Sequence, residues 1–587
     1  MKTLQFGPKT IRVVENENDL KAFADFVRRN RRSLAFDTET TGLNIFSPGF
    51  RVRLAQFGNE HEAYVLPVEL GPRYAWYAKR TLEYLEEIVC HNATFDLLVA
   101  AEHFGCDLED MYSRVRDVYI LAHLVDSRDS KEGGTGHGLE ALTAAYISPK
   151  VAEEVKASMR VMAKELKTTL SKVWTEVPLF HDTYNLYAGM DVILTATLYR
   201  IIWPKVPAES QILIGFEHRV AKICADMERR GFLLDVEYAE NLQKHYLEEQ
   251  ERYEQAAREM GVENINSTDQ VAAALIEQGV KLSEKTKTGK WKVDKKVLED
   301  LEKKGNKLAI AVQKAKRAGK WRSAYVDQFL ALRDENNRVH CSINSLKART
   351  ARMSITNPAL QTLPASESVI RKCFLADEGE LIVSVDYKAQ ELRVLAALSG
   401  DPVMRQAFVD DADLHQITAD AAGVDRKVGK MANFLNVYGG GPSALSSQAG
   451  ISLDVAKKVL KAFNDTYKGV SRFSQLMSNQ AKRYGYVTTP TGRRLYVDKE
   501  RSYSATNYVV QSTSRDVTAS ALVLLEKAGL SKYLRLPIHD EIVASVPADD
   551  AEEISREIGR VMTQTLRGVE IATDPEVGGR SWGSLYE

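Results

Sequence analysis

The sequence predicts a mixed α/β chain of more than one domain, a compact α/β domain followed by a larger, multi-lobed α+β part. Three observations carry that reading. The chain has 587 residues, whereas single cores stop growing near roughly 250–300 residues. Up to Pro204 short apolar strands alternate with helices. Beyond it come long charged helices to about residue 333, and strand–helix alternation returns after Leu346.

Strands are expected at 33–37, 51–57 and 64–66, and helices at 81–88, 95–104 and 115–124. The Gly- and Ser-rich stretch 127–138 reads as a flexible loop. A helix over 184–202 ends before Pro204, a natural domain boundary. A Gly/Lys/Thr-rich break at 284–291 interrupts the charged helices.

Composition excludes several classes. With 44% hydrophobic and 27% charged residues the chain is ordinary globular protein. No stretch approaches the ~18 apolar residues of a membrane span, and the N-terminus lacks the apolar core of a secretory signal. A cytoplasmic protein without membrane partners is expected. The five cysteines form no C-x-x-C pair, which argues against zinc and disulfides. Net charge is only −1, yet residues 281–322 hold 15 Lys or Arg against 5 Asp or Glu. Such a stripe suits either a solvated helical face or a phosphate backbone.

Two constellations carry chemistry. In L-A-F-D-T-E (34–39) an apolar strand ends in Asp37 and Glu39, whose spacing of two places both carboxylates on one face. Asp96 stands at a helix start in H-N-A-T-F-D, and Tyr187 and Asp191 stand four apart on one helical face. Each has a bland reading, a solvated strand end or a surface pair. Together they offer hard oxygen ligands for Mg²⁺ or Mn²⁺ and a hydroxyl to position water.

In the second, L-I-V-S-V-D-Y (381–387) ends in Asp386, and R-L-P-I-H-D-E-I-V (535–543) reads as a hairpin turning at His539-Asp540-Glu541. Between them Arg426, Lys430, Phe434 and Tyr438 fall at roughly 0°, 40°, 80° and 120° around a helix. Two cations followed by two aromatics suit a triphosphate with its base stacked beyond, although a half-buried amphipathic helix gives the same stripe. Gly439-Gly440-Gly441 then ends the helix.

The first set, across residues 30–200, resembles the RNase H-like DEDD 3′→5′ exonucleases of the tyrosine subtype. That implies Asp37, Glu39, Asp96 and Asp191 as metal ligands and Tyr187 as the catalytic group positioning water. Asp117, at a matching helix start, is not expected to be a ligand. The second set resembles motifs A, B and C of the polymerase I family (family A). Supporting matches are T-A-R-M-S (350–354), P-A-L-Q-T-L-P (358–364), D-L-H (413–415), G-Y-V (485–487) with G-R-R (492–494), and Lys320 with S-A-Y (323–325).

The resemblance implies an exonuclease domain over 1–205 and a right-hand polymerase over 206–587. The thumb would span about 206–345, the palm 346–400 and 500–587, and the fingers 401–499. It implies two Mg²⁺ per active site, with Mn²⁺ as substitute, held in the polymerase by Asp386, Asp540 and the Tyr387 carbonyl. Arg426, Lys430 and His415 would grip the nucleotide's phosphates, with Lys430 the proton donor to pyrophosphate. Phe434 would pack on sugar and base, Tyr438 would lie beside the templating position, and Glu391 would exclude a 2′-hydroxyl. Arg352, Gln361, Asn507, Gln511, His539 and Lys320 would contact DNA.

Motif A here is D-Y-K-A-Q-E-L-R against the family's D-Y-S-Q-I-E-L-R, so Lys388, Ala389 and Gln390 depart. Leu435 and Ser512 stand where glycine is usual, and Tyr503 where arginine is. These positions bear on minor-groove checking, and so on fidelity. The family's 5′-nuclease domain is expected to be missing, because exonuclease motifs begin at Asp37, and this resembles phage replicative enzymes. Expected partners are primer–template DNA and deoxynucleoside triphosphates, with the chain a monomer; no helicase or single-strand-binding partner can be named from sequence. The competing reading is a 3′→5′ exonuclease with an inert polymerase-like scaffold.

Overall fold

The computed structural model describes residues 1–363 and 368–587, so Pro364 of the P-A-L-Q-T-L-P segment lies outside the described residues. The chain forms two compact units. The first comprises Met1–Arg230, Ile343–Ser354 and Val383–Val577, and the second Gly231–Ser342, Ile355–Ile382 and Gly578–Glu587.

Within the first unit, a seven-stranded sheet is built from β1 (Lys2–Phe6), β2 (Lys9–Val13), β3 (Leu34–Thr40), β4 (Val52–Gly58), β5 (Glu62–Leu66), β6 (Ile88–Cys90) and β7 (Val115–Asp117). Its order is β1-β2-β5-β4-β3-β6-β7. β4 is buried along its whole length between β5 and β3, its polar Arg53 and Gln56 included. Helices α1 (Ala93–Phe104), α2 (Val118–Val125) and α3 (Asp182–Ile202) follow. Two glycines let α3 lie tight on the sheet. A Cβ at Gly189 would sit 2.5 Å from Ile11, and one at Gly58 2.8 Å from Val192. That close approach carries Asp191 over β3.

The 81–88 helix is corrected by the structure: the helix runs Pro72–Tyr84, and Ile88–Cys90 is a strand. Leu85 turns extended (φ −67°, ψ 139°) and Glu86 N–H donates to the Arg31 carbonyl, so one apolar run serves two elements. The 127–138 segment is pinned by local bonds. Arg128 pairs with Asp126 at 2.8 Å and the Ser130 hydroxyl donates to the Thr135 carbonyl at 3.0 Å.

The rest of this unit contains α4 (Ile212–Arg230), α5 (Gln390–Ser399), α6 (Leu414–Ala422), α7 (Arg426–Val437) and α8 (Ala505–Lys527). It also holds a four-stranded sheet of β8 (Glu380–Tyr387), β9 (Leu534–Ile538), β10 (Glu541–Pro547) and β11 (Thr573–Val577), in the order β9-β10-β8-β11. A buried ionic network ties α4 to α8. The Arg515 guanidinium grips Glu217 through two bonds of 2.7 Å, and Arg493 bonds Glu217 and, at 2.8 Å, Asp516. Removing one partner would strand a buried charge, a loss of about 3–5 kcal/mol.

In the second unit, helices Val236–Glu259 and Lys307–Trp321 pack around buried Ala311, Val312 and Ala315. Phe232, Phe329, Phe374 and Trp582 form an aromatic cluster. Lys320 is exposed at the helix end, and the Tyr325 hydroxyl reaches the Thr362 carbonyl at 3.1 Å, beside Gln361. The basic stretch is partly neutralised locally, with Lys290 on Asp269 and Lys292 on Glu284. No helix among the described residues is long and apolar enough to cross a membrane.

Candidate active sites

The exonuclease-type site is set by strand register. Asp37 and Glu39 on β3 face the same way, and α3 brings Asp191 to them, so that one oxygen of each lies within 4.8 Å of the others. Asp96, in the first turns of α1, is turned toward β3. Its carboxylate accepts from Thr38 N–H at 2.9 Å and the Thr38 hydroxyl at 2.6 Å. Burial pushes Asp37 up to about 7. Burial, and then the neighbouring acids, raise Glu39, Asp96 and Asp191 well above the ordinary carboxylate range. Three acids this close, with Asp96 beside them on Thr38 but outside the cluster, favour a bound cation. The Tyr187 hydroxyl is bonded to Asp191, whose charge raises its pKa, and Trp174 stands edge-on at 5.7 Å. A cleft of about 270 Å³ opens beside Tyr187 and Asp191, lined by Trp174, Met159 and Leu194.

Gln56 was missed by the sequence reading. It lies opposite Asp37 in the β3–β4 ladder and donates to Asp37 at 2.6 Å and Glu39 at 3.3 Å. Its own Oε1 is buried without a protein hydrogen-bond partner. The signal was present: Gln56 is the polar side chain in L-A-Q-F of a wholly buried strand.

At the second site, β8 delivers Asp386 beside the β9–β10 turn. Tyr387 N–H donates to the Asp540 carbonyl at 3.1 Å, and the Ser384 hydroxyl to Glu541 at 2.6 Å. His539 turns the hairpin at φ 56°. Partial burial, with Asp540 next to it, pushes Asp386 up to about 6, and burial raises Asp540. A cleft of about 530 Å³ joins Asp386, Asp540, Glu391, Phe434, Tyr438 and Gln511, and Arg352, Tyr387 and His539 also line it. Glu391 is held from two sides, by the Arg352 guanidinium and the Tyr438 hydroxyl at 2.9 Å.

α7 presents its stripe as the spacing predicts. Arg426, Lys430 and Tyr438 are exposed and Phe434 half-buried, with Val428, Ala432 and Leu435 on the buried side. Gly429 permits the helix to touch α6, since a Cβ there would lie 2.4 Å from the His415 carbonyl. Asp413 caps α6 and pairs with Arg426. Asn433 donates to His415 Nδ1 at 2.9 Å, which leaves Nε2–H as the free-edge donor of a neutral imidazole.

Five of the six departures have identifiable surroundings, while the buried Ser512 hydroxyl has no protein hydrogen-bond partner among the described residues. Leu435 belongs to the apolar cluster under α7. Gln390 is buried and donates to Thr518 on α8 at 2.9 Å. Ala389 is the left-handed N-cap of α5 (φ 48°), and Lys388 lies 3.8 Å from Asp574. Tyr503 is exposed against the backbone of Gly439. Gln511 accepts from Thr350 at 3.4 Å, whereas the Asn507 side-chain oxygen is buried without a protein partner. Lys320 and Gln361 lie in the other compact unit.

Two carboxylate sites on two sheets, one crossed by a Tyr/Asp helix and one facing a basic–aromatic helix, define the class as an exonuclease domain followed by a polymerase. Comparison with known proteins agrees. Residues 236–584 match the model of DNA polymerase family A, and residues 11–207 that of a 3′–5′ exonuclease. The chain belongs to DNA polymerase family A and carries a 3′–5′ exonuclease domain. It is 51% identical to the DNA polymerase of Mycobacterium phage L5, over 98% of this chain and 97% of that one. It is 50% identical to that of Mycobacterium phage D29 over the same shares. DNA polymerase I of Synechocystis is 30% identical over 81% of this chain and 51% of its own. The fold matches the POL domain of Pol1 from M. smegmatis, solved with DNA primer-template and dNTP, with a TM-score of 0.74 at 22% identity, covering 98% of this chain and all of that one. Family A polymerase and exonuclease domains use divalent metal ions, and the acid sets here are of the hard-oxygen type those ions take.

Proposed function

We propose that this chain copies a DNA template from deoxynucleoside triphosphates and removes mispaired 3′ ends, within phage DNA replication. The observation that supports this reading most is the joining of Asp386, Asp540, Glu391, Phe434 and Tyr438 in one cleft, with a separate, partly buried acid set at Asp37, Glu39 and Asp191.

At the polymerase site Asp386, Asp540 and the Tyr387 carbonyl would hold two Mg²⁺ ions. Bound there, the ions supply Lewis acidity toward the primer 3′-oxygen and the phosphates. The chain's own groups do the rest. Arg426 exchanges Asp413 for the triphosphate, His415 donates from Nε2, and Lys430 gives a proton to the leaving pyrophosphate. Phe434 packs on the sugar and base. Glu391, fixed by Arg352 and Tyr438, occupies the space a 2′-hydroxyl would need. Gln511, Asn507, His539 and Arg352 contact the primer–template at minor-groove acceptors, which are alike for all correct pairs.

At the exonuclease site Asp37, Glu39, Asp96 and Asp191 would hold the cations, with Mn²⁺ as substitute. Tyr187 orients the water, and the cleft lined by Trp174 and Leu194 receives the terminal nucleotide. Extension of a 5′-labelled primer on a longer template tests both halves. Full-length product with the four deoxynucleotides, and a shortening ladder without them, is expected. Shortening under both conditions would remove the polymerase half.

A further inference from the structure

The carboxylate of Asp117 is buried at the end of β7, in register with Cys90 at the end of β6. It joins two strand–helix elbows. Oδ1 accepts from the backbone N–H of Asn92 and of Tyr119, and Oδ2 from that of Ala93, each at 2.9 Å. One acid therefore satisfies the leading donors of both α1 and α2, which would otherwise be orphaned at a buried helix start. Asn92, the N-cap of α1, makes no side-chain cap bond and adopts the left-handed conformation, φ 59° and ψ 56°. For a residue with a Cβ that geometry persists only where its surroundings hold it, and Asp117 holds it.

What α1 delivers is Asp96, one turn on. Asp96 then bonds Thr38, which sits between Asp37 and Glu39. A continuous path thus runs from Asp117 through the α1 elbow to the acid set. On its other side Asp117 donates its backbone N–H to His218 Nε2 at 2.8 Å, while His218 Nδ1 bonds the Ile214 carbonyl at 2.7 Å. A backbone N–H needs an acceptor, so His218 is neutral with its proton on Nδ1. His218 lies on α4, outside the residues that match the exonuclease model.

We propose that Asp117 is the positioning residue of the exonuclease site, setting Asp96 for cation binding without touching the cation, and that His218 of α4 fixes Asp117 from outside the exonuclease segment. The proposal rests on the exonuclease reading above. Failure of that reading would appear as no digestion by the unaltered chain, which is a different result from any below.

The test is a Mn²⁺ titration of 3′-end digestion of a single-stranded oligonucleotide by the full chain, with primer extension measured in parallel. Asp117→Asn keeps the volume but turns an amide N–H₂ toward backbone donors. It should raise the Mn²⁺ concentration for half-maximal digestion by about 10- to 100-fold, the range for residues that orient metal ligands. The rate at saturating Mn²⁺ should largely recover, and extension should be unchanged. His218→Leu should shift the titration the same way, and His218→Gln, which restores an acceptor, should bring it back. Asp107→Ala is the control, because Asp107 caps Leu108–Arg114 through Asp110 N–H at 2.7 Å and touches no site residue. It should lower Tm and leave the titration in place. If Asp117→Asn and His218→Leu lower Tm as Asp107→Ala does and leave half-saturation unmoved, Asp117 is a stability cap only and the proposal is overturned. Should Asp117→Asn fail to fold, the His218→Leu and His218→Gln pair decides on the same readouts.

Discussion

The two acid sets solve the same problem of charge in opposite surroundings. In the exonuclease domain the carboxylates sit largely buried between a sheet and its covering helices, and Gln56, Thr38 and Tyr187 supply hydrogen bonds to them. In the polymerase cleft Asp386 is exposed on a strand end, and Asp540 sits on a hairpin turn joined to it by a backbone bond. The difference follows from what each must admit. A single-stranded end can enter a narrow cleft, whereas a duplex and a triphosphate need an open one. Asp37 and Glu39 are therefore placed by β-ladder register, and Asp386 and Asp540 by the meeting of a strand with a turn.

The sharpest way to break this comparison is to disable each site alone. Asp540→Ala should lower primer extension by roughly three orders of magnitude or more, about 4 kcal/mol at 1.36 kcal/mol per tenfold, with digestion intact. Asp37→Ala with Glu39→Ala should do the reverse. A gel in which either change abolishes both activities would mean the sites are not separate.

A smaller effect is expected where the sites differ most, in what surrounds the acids. Gln56→Leu makes this β4 side chain apolar at similar size and removes both hydrogen bonds that it donates to Asp37 and Glu39. Digestion should fall by about 10- to 100-fold, and extension should not change. An unaffected digestion rate would show that register alone aligns the acids. On the open side, Glu391→Ala should admit ribonucleotides, since it empties the space between Arg352 and Tyr438. Ribonucleotide incorporation equal to that of the unaltered chain would end the gate assignment.

Much of this was legible in sequence because the acids end apolar strands or recur at helical spacing. Asp37, Glu39, Asp191, Asp386 and the Arg426–Tyr438 stripe are local patterns, and strand and helix geometry place them. The N-terminal hairpin went unread although K-T-L-Q-F and K-T-I-R-V alternate around Gly7-Pro8. The helix placed at 81–88 failed because one apolar run spans a helix end and a strand. Gln56 stands out as a polar residue among L-A-Q-F, but its role depends on pairing between β3 and β4; His218 depends on a contact across 101 residues and has no local signature. Arg493 resembled part of a G-R-R motif, yet its role in the buried network needs Glu217 of α4 beside it.

A prediction on stability isolates burial from charge crowding, the two causes mixed in the exonuclease acids. Glu228 on α4 is buried, and burial pushes it up to about 7, while a bond from Ile343 N–H at 3.1 Å opposes the shift. In the unfolded chain it titrates near its ordinary 4.5. Between those values the folded chain keeps a proton that the unfolded chain has lost, so raising pH through this window removes stability. The loss reaches about 3 kcal/mol by pH 8, at 1.36 kcal/mol per pH unit. Glu228→Gln retains an acceptor for Ile343 and carries no proton to lose. Urea unfolding of the two proteins should give curves that separate steadily between about pH 4.5 and pH 7, with the variant the more stable at the upper end. Parallel curves would mean that Glu228 ionises normally inside the fold. The raised values of Asp37, Glu39 and Asp191 would then owe more to one another than to burial, and the contrast between the closed and open sites would be one of spacing.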